Sequence, residues 1–356
     1  MQKSKLYGMV LLGVTLLGLA ATALLMWVFD PYFHFHAPFE GVSYVLNNER
    51  YQNNGITRQF EYDALITGTS MTQNFKTSEL DALFGTNSIK IPYAGASFKE
   101  LNDAVVAAKE YNPALTLVVR GLDLYQFEED KDYLAYDSYP TYLYDDNLLN
   151  DAQYLWNKDI LTTDFLSLSL IPTLTGAAST TFDAYSNWMS ENTFGKETVL
   201  ASYNRAQQDD TAAQTHLSEA DQQTIYDNVM QNVVQVAIDN PDMTFYYFLP
   251  PYSIVYFDDC NQNNALYYEL EKLEYAASLL VEYDNIQLYA FFEEYDLVTN
   301  LDNYKDWTHY SEDVNSMILE AMAAGEHQLT AENYQSYFAE LTDYYTSYDY
   351  EAIFAA

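Results

Sequence analysis

From Tyr62 onward, short apolar runs alternate with stretches of helical periodicity, the pattern of a mainly parallel sheet covered by helices on both faces. The runs are Tyr62–Thr67, Ser88–Tyr93, Leu115–Gly121, Thr244–Leu249 and Ile286–Ala290, and they predict five strands of one doubly wound sheet. Helices are expected at Asn74–Leu83, Phe98–Glu110, Glu219–Asp239, Ala265–Tyr283 and Glu312–Ala323, with a last Tyr-rich helix over Thr330–Tyr348. Ser97 stands three residues before Glu100, the spacing of a capping box. Between the third strand and the helix before the fourth lie residues 124–218, rich in Tyr, Asp, Asn, Ser and Thr. A bare loop of that length is rare in a compact domain, so a mostly helical insertion over the carboxyl ends of the strands is expected. There is no internal repeat, which removes the stalk and adhesin architectures.

The other apolar feature is N-terminal. Gly8–Phe29 runs for 22 residues without a charge, about 33 Å as a helix and enough for a hydrocarbon core of about 30 Å. Ala20, Ala21 and Ala23 allow a signal-peptide reading, but apolar residues continue through Leu24–Val28, beyond where a cleaved segment ends. An uncleaved anchor is the better expectation. Lys3 and Lys5 before it and Asp30 after it orient residues 1–7 to the cytoplasm and the rest outside. Residues 30–61 then form a juxtamembrane segment, with Trp27, Phe29, Tyr32 and Phe33 as an outer aromatic belt. His34 and His36 have strand-like i, i+2 spacing, but no third ligand is near, so interfacial histidines are expected rather than a metal pair.

Charge narrows the partners. The chain of 356 residues has 15 Lys and Arg against 52 Asp and Glu, a net charge of −37, which excludes nucleic acid and disfavours other polyanions. At 49% hydrophobic residues it folds. A single cysteine, Cys260, excludes internal disulfides and multi-cysteine metal or redox sites, and suits either a cytoplasmic protein or a bacterial surface. The anchor selects the surface.

Two local patterns carry chemistry. Ser70 follows Gly68-Thr69 where the first strand gives way to a helix, so its hydroxyl faces outward from the carboxyl edge and its amide lies near a helix start. A plain helix cap has the same signature. Asp306 precedes His309 by three residues, just before the helix at Glu312, which lets a carboxylate hold one imidazole nitrogen while the other faces a nucleophile. A local cap by Asp306 is equally compatible with that spacing.

Gly68-Thr69-Ser70-Met71, Gly95 after the second strand, and Asp306-Trp307-Thr308-His309 together resemble blocks one, two and five of the SGNH (GDSL-like) hydrolase superfamily. With the anchor, the chain is similar to the bacterial extracytoplasmic branch related to DltD and the alginate O-acetylation proteins. The resemblance covers Tyr62 to Ala323 apart from the insertion. It implies a three-layer α/β/α domain over 62–356, Ser70 as nucleophile, His309 as general base, Asp306 as its orienting acid, and the amides of Ser70 and Gly95 as oxyanion donors. Two positions depart from the pattern. Thr69 replaces the usual Asp, and Gly121-Leu122-Asp123-Leu124 puts Asp123 where an Asn side chain would donate a third oxyanion bond. An ionised Asp cannot donate, at a cost of about 100–1000-fold in rate. Arg120, one residue before Gly121, is expected at the sheet edge beside Ser70 and Gly95, binding an oxyanion or carboxylate, or else paired with Asp123 or Asp63.

These features imply an esterase or O-acyltransferase acting on acyl esters of an envelope or extracellular glycan, without metal or organic cofactor, in some settings beside a membrane acyltransferase. A degenerate SGNH-fold protein that binds polymer or escorts a membrane partner is the alternative, and the separation of Ser70 from His309 distinguishes them. The run Asp258–Asn263 lacks calcium-loop spacing and reads as a solvated loop. Cys260 reads as inert, His216 and His327 as unpartnered surface residues, and tyrosines between 133 and 154 as sugar-stacking candidates with general composition as the simpler cause.

Overall fold

The computed structural model describes residues 2–136, 139–208 and 212–354. Parts of the expected insertion, 137–138 and 209–211, lie outside the described residues, as do Met1, Ala355 and Ala356. The chain divides into two compact units, residues 1–61 with 138–181 and residues 62–137 with 182–356. The expected insertion is therefore shared between them.

The second unit is α/β, built on a sheet whose order is β2-β1-β3-β4-β5-β6. Its strands are β1 (Ala64–Gly68), β2 (Ser88–Pro92), β3 (Leu117–Gly121), β4 (Thr244–Leu249), β5 (Ile286–Ala290) and β6 (Gln328–Leu329). The sheet has six strands, not five. The sixth is a two-residue edge strand, antiparallel to β5 through Leu288 with Leu329 and Tyr289 with Gln328, too short to show a period of two in sequence. The other pairings are parallel. β1, β2 and most of β3 and β5 are buried on both faces, which is why they read as continuous apolar runs.

Helices follow from the same local rules. Those relevant here are α1 (Gln2–Phe29), α2 (Glu49–Gln59), α3 (Thr77–Phe84) and α4 (Phe98–Tyr111). The Ser97 hydroxyl accepts from the Glu100 amide, and Glu100 returns a bond to the Ser97 amide, completing the capping box that starts α4. α3 packs on the helix Glu312–Ala324, and α4 packs on the last turns of the helical stretch 219–239. The order 2-1-3-4-5 changes direction between β1 and β3, and a parallel sheet opens a crevice at the carboxyl ends of its strands at such a point.

Outside the site the readings of the 258–263 run and of two histidines change. The run 258–263 lies largely within a helix, Ile254–Gln262, and the buried Asp258 carboxylate takes two bonds from Arg205. His216 pairs with Glu271, and His327 with Glu293. Burial pushes the Cys260 thiol well up, the direction of an unreactive thiol.

The first unit joins α1 to residues 30–61 and 138–181. Tyr32 and Phe33 are each 1% exposed and belong to its interior, not to an interfacial belt. Asp30, also buried, accepts from the amides of His34, Phe35 and His36 and from the Tyr154 hydroxyl. His34 contacts Asp151 at 2.8 Å, and His36 stacks on Phe39, so neither is aimed at a common ligand. Gly55 of α2 leaves room for the Tyr32 carbonyl, which a Cβ would meet at 2.0 Å. α1 is long and apolar enough to cross a membrane by length and composition.

Candidate active site

Ser70 opens a single turn of 3₁₀ helix directly after β1. Thr69 has extended backbone and caps that turn. Gly68 adopts φ +145, and a Cβ there would lie 2.5 Å from Thr72 Cγ2 and 3.3 Å from the Gly121 amide. The glycine lets the ends of β1 and β3 close together and turns Ser70 outward.

His309 reaches the same place from the loop between β5 and the helix Glu312–Ala324. The loop after β5 is pinned at both ends. Lys305 N–H donates to the His309 carbonyl, Ser311 N–H to Asn303, and Tyr304 hydroxyl to Pro251. Ser253 donates from amide and hydroxyl to the Trp307 carbonyl. Within this loop Asp306 Oδ1 accepts from the amides of Thr308 and His309, and its carboxylate meets His309 Nδ1 at 2.9 and 3.0 Å. Local capping and imidazole support are thus performed by one side chain. The far nitrogen, Nε2, lies 2.8 Å from Ser70 Oγ.

With Nδ1–H donating to Asp306, Nε2 is left to accept the serine proton; this is the tautomer the geometry assigns. Burial pushes the Asp306 carboxyl up, but the His309 ring and the two amides outweigh it and hold the group at about 2. It is an anion throughout the neutral range.

Among the described residues the amides of Ser70 and Gly95 donate no hydrogen bond inside the chain. Gly95 is exposed with φ +66, and a Cβ there would meet the Tyr136 hydroxyl at 3.5 Å. Tyr136 in turn donates to the Ala94 carbonyl. Backbone amides without a partner inside the chain are the kind of donor that a tetrahedral oxyanion needs.

Asp123 follows β3 as expected but is buried, accepting from the Thr69 hydroxyl and, at 2.6 Å, from Tyr252. Burial raises its pKa, opposed by those two bonds and by His309. Both oxygens are occupied as acceptors, so Asp123 supports the Thr69 turn and supplies no donor. Arg120 is not beside Ser70. It is fully buried, donating to the carbonyls of Asn232 and Phe98 and lying over the Phe98 ring. Its side chain alternates to the α4 face of β3, and neither Asp123 nor Asp63 pairs with it.

Sequence reasoning missed Trp188. Its indole N–H donates to the Ser70 carbonyl at 3.4 Å, its ring meets His309 edge-on with centroids 5.8 Å apart, and Lys305 Nζ sits 4.0 Å over its face. Burial lowers the Lys305 pKa against the pull of Asp306. Being one of only four tryptophans was the sole signal available.

No family description matches the chain, and no curated protein does. One solved structure, of a protein from Streptococcus pneumonia named for platelet activating factor, aligns over 86% of this chain and 97% of its own at 12% identity, with a TM-score of 0.37. At that score the likeness carries no weight for fold or activity.

Proposed function

We propose that this is an SGNH-like serine esterase or O-acyltransferase, with a three-layer α/β/α domain held at the outer face of a bacterial membrane by α1. The observation that carries the reading is the continuous chain Ser70 Oγ, His309 Nε2, His309 Nδ1, Asp306, with contacts of 2.8 and 2.9 Å. Its support in sequence is the Gly-Thr-Ser and Asp-x-x-His pair.

In the reaction Ser70 gives its proton to His309 Nε2 while Oγ attacks the ester carbonyl. The amides of Ser70 and Gly95 receive the oxyanion. His309 then protonates the leaving alcohol, and an acyl group remains on Ser70. Water resolves it in an esterase, and a sugar hydroxyl in a transferase. Asp123 contributes no third donor, which sets the rate about 100–1000-fold below that of a three-donor site. Anchoring favours a polymeric substrate near the membrane, an acylated glycan of the envelope or of the extracellular matrix, with a membrane acyltransferase as partner in the transfer direction. The charge of −37 favours an uncharged one. Ser70 within reach of His309 favours this reading over a degenerate binder.

The test is acyl-enzyme formation. Full-length protein mixed with 4-nitrophenyl acetate is expected to release a burst of nitrophenol and to carry the acetyl group on the Ser70 peptide. Ser70→Ala abolishes both. Release without Ser70 acylation would reject the mechanism.

A further inference from the structure

In a chain with 52 carboxylates against 15 Lys and Arg, a cation near the sheet is expected to find an acidic partner. Lys76, Lys99, Lys109, Lys131 and Lys272 each pair with Asp or Glu. Among the described residues Lys305 pairs with none: its ammonium lies over the Trp188 ring. The next residue, Asp306, is taken up by the His309 ring and by the amides of Thr308 and His309. A charge that burial has partly stripped of water is ordinarily answered by an opposite one. The half-buried Lys305 has only an aromatic face.

The loop backbone fixes where that charge stands. Tyr304 and Tyr310 form an antiparallel bridge, and one step inside it the Lys305 N–H donates to the His309 carbonyl. Residues directly opposite on an antiparallel pair send their side chains to one face, and neighbours along each strand alternate. Tyr304 and Tyr310 are buried, so Lys305 and His309 face outward together, each partly exposed. Trp188 joins them, edge-on to the imidazole with centroids 5.8 Å apart and with the ammonium 4.0 Å from its own ring centre.

In the proposed reaction His309 protonates the leaving alcohol, so the alcohol part of the ester lies on the imidazole side. A charge that shares the face of His309 meets that part of the substrate. We infer that Lys305 is a specificity-determining residue of the alcohol subsite, where its ammonium binds a carboxylate carried by the alcohol near the scissile ester. The incoming group supplies the counter-charge that Asp306, turned to His309, does not. A carboxylate suits a single ammonium, whereas phosphate recognition draws on an arginine fork or a helix N-terminus, and residues 304–311 contain no arginine. The net charge of −37 opposes a polymer charged at every unit. The fitting substrate is therefore largely uncharged, with one acidic group beside its acylated hydroxyl. The inference rests on the esterase reading of Ser70 and His309 and adds a partner on its alcohol side.

The experiment compares two acetyl esters of one shape on the full-length protein, 4-acetoxybenzoate and the neutral 4-acetoxybenzamide. Each variant is read as the ratio of kcat/KM for the benzoate to that for the benzamide, so that the chemical reactivity of the two esters cancels between variants. Lys305→Met and Lys305→Gln remove the charge by two different side chains, and Lys305→Arg keeps it. The ratio is expected to fall about fivefold or more in Lys305→Met and Lys305→Gln, chiefly through KM for the benzoate, and to stay within about twofold of wild type in Lys305→Arg. A ratio that is the same in wild type and in both uncharged variants, whether or not the two esters are slowed alike, would overturn the inference and leave the esterase reading. A wild type that turns over neither ester would overturn both.

Discussion

Asp306 holds the His309 ring and accepts from two amides of the same loop, so its charge supports the loop's fold and, in the proposed mechanism, the imidazole as well. Replacing it by Asn keeps the size but removes the negative charge and turns one of the two acceptor oxygens into an NH₂ donor, which favours the opposite His309 tautomer. Asp306→Asn is expected to slow Ser70 acylation by about 1000–10,000-fold, by analogy with triad carboxylates. Its carboxyl ionises at about 2 in the folded chain against 3.8 for an unperturbed Asp. A depressed carboxylate contributes stability that is complete above about pH 4 and is lost as pH falls through about 2. Urea unfolding should therefore show the wild type more stable than Asp306→Asn by about 1–2 kcal/mol near neutral pH, allowing for partial exposure, with the gap closing toward about pH 2. Both members of the Asp-x-x-His pair were legible because they are close in sequence. Trp188 was not, because it meets Ser70 across 118 residues with no periodic signal. Arg120 was misplaced for a related reason: its position beside Gly121 was readable, but the face of β3 to which it points depends on register with β1 and β4.

The junction after β1 is the element on which the site depends. Gly68 is required there twice over, by φ +145 and by the approach of Thr72 and the Gly121 amide. Gly68→Ala is expected to cost about 2 kcal/mol or more, read as a lowered urea midpoint, and to reduce Ser70 labelling because the 3₁₀ turn must shift. β4 and β5 agree with sequence to the residue, since apolar runs bounded by Pro250 or by a change of pattern have clear ends. α3 begins at Thr77 instead of Asn74, because the Ser70–Thr72 turn and the bond from Phe75 N–H to Thr72 carry the chain first. A helical period cannot reveal that delay.

Over the whole molecule the dominant quantity is a charge of −37. Self-repulsion on this scale weakens the compact state and is screened by salt within about 10 Å at 0.1 M. The melting temperature is expected to rise by several degrees between low and about 0.5 M NaCl, whereas a fold limited by exposed ion pairs would lose stability. Composition made the repulsion legible. The division of the chain was not legible, because residues 138–181 join the N-terminal segment by contacts more than a hundred residues apart, such as Tyr154 with Asp30. An activated Ser70 remains the claim on which the functional account rests, and the most direct measurement is labelling of the full-length protein by a fluorophosphonate probe, followed by mass mapping. The account predicts one adduct, on the Ser70 peptide, lost in Ser70→Ala and reduced at least about a thousandfold in rate in His309→Ala. An unlabelled wild type, or labelling undiminished in His309→Ala, would contradict it.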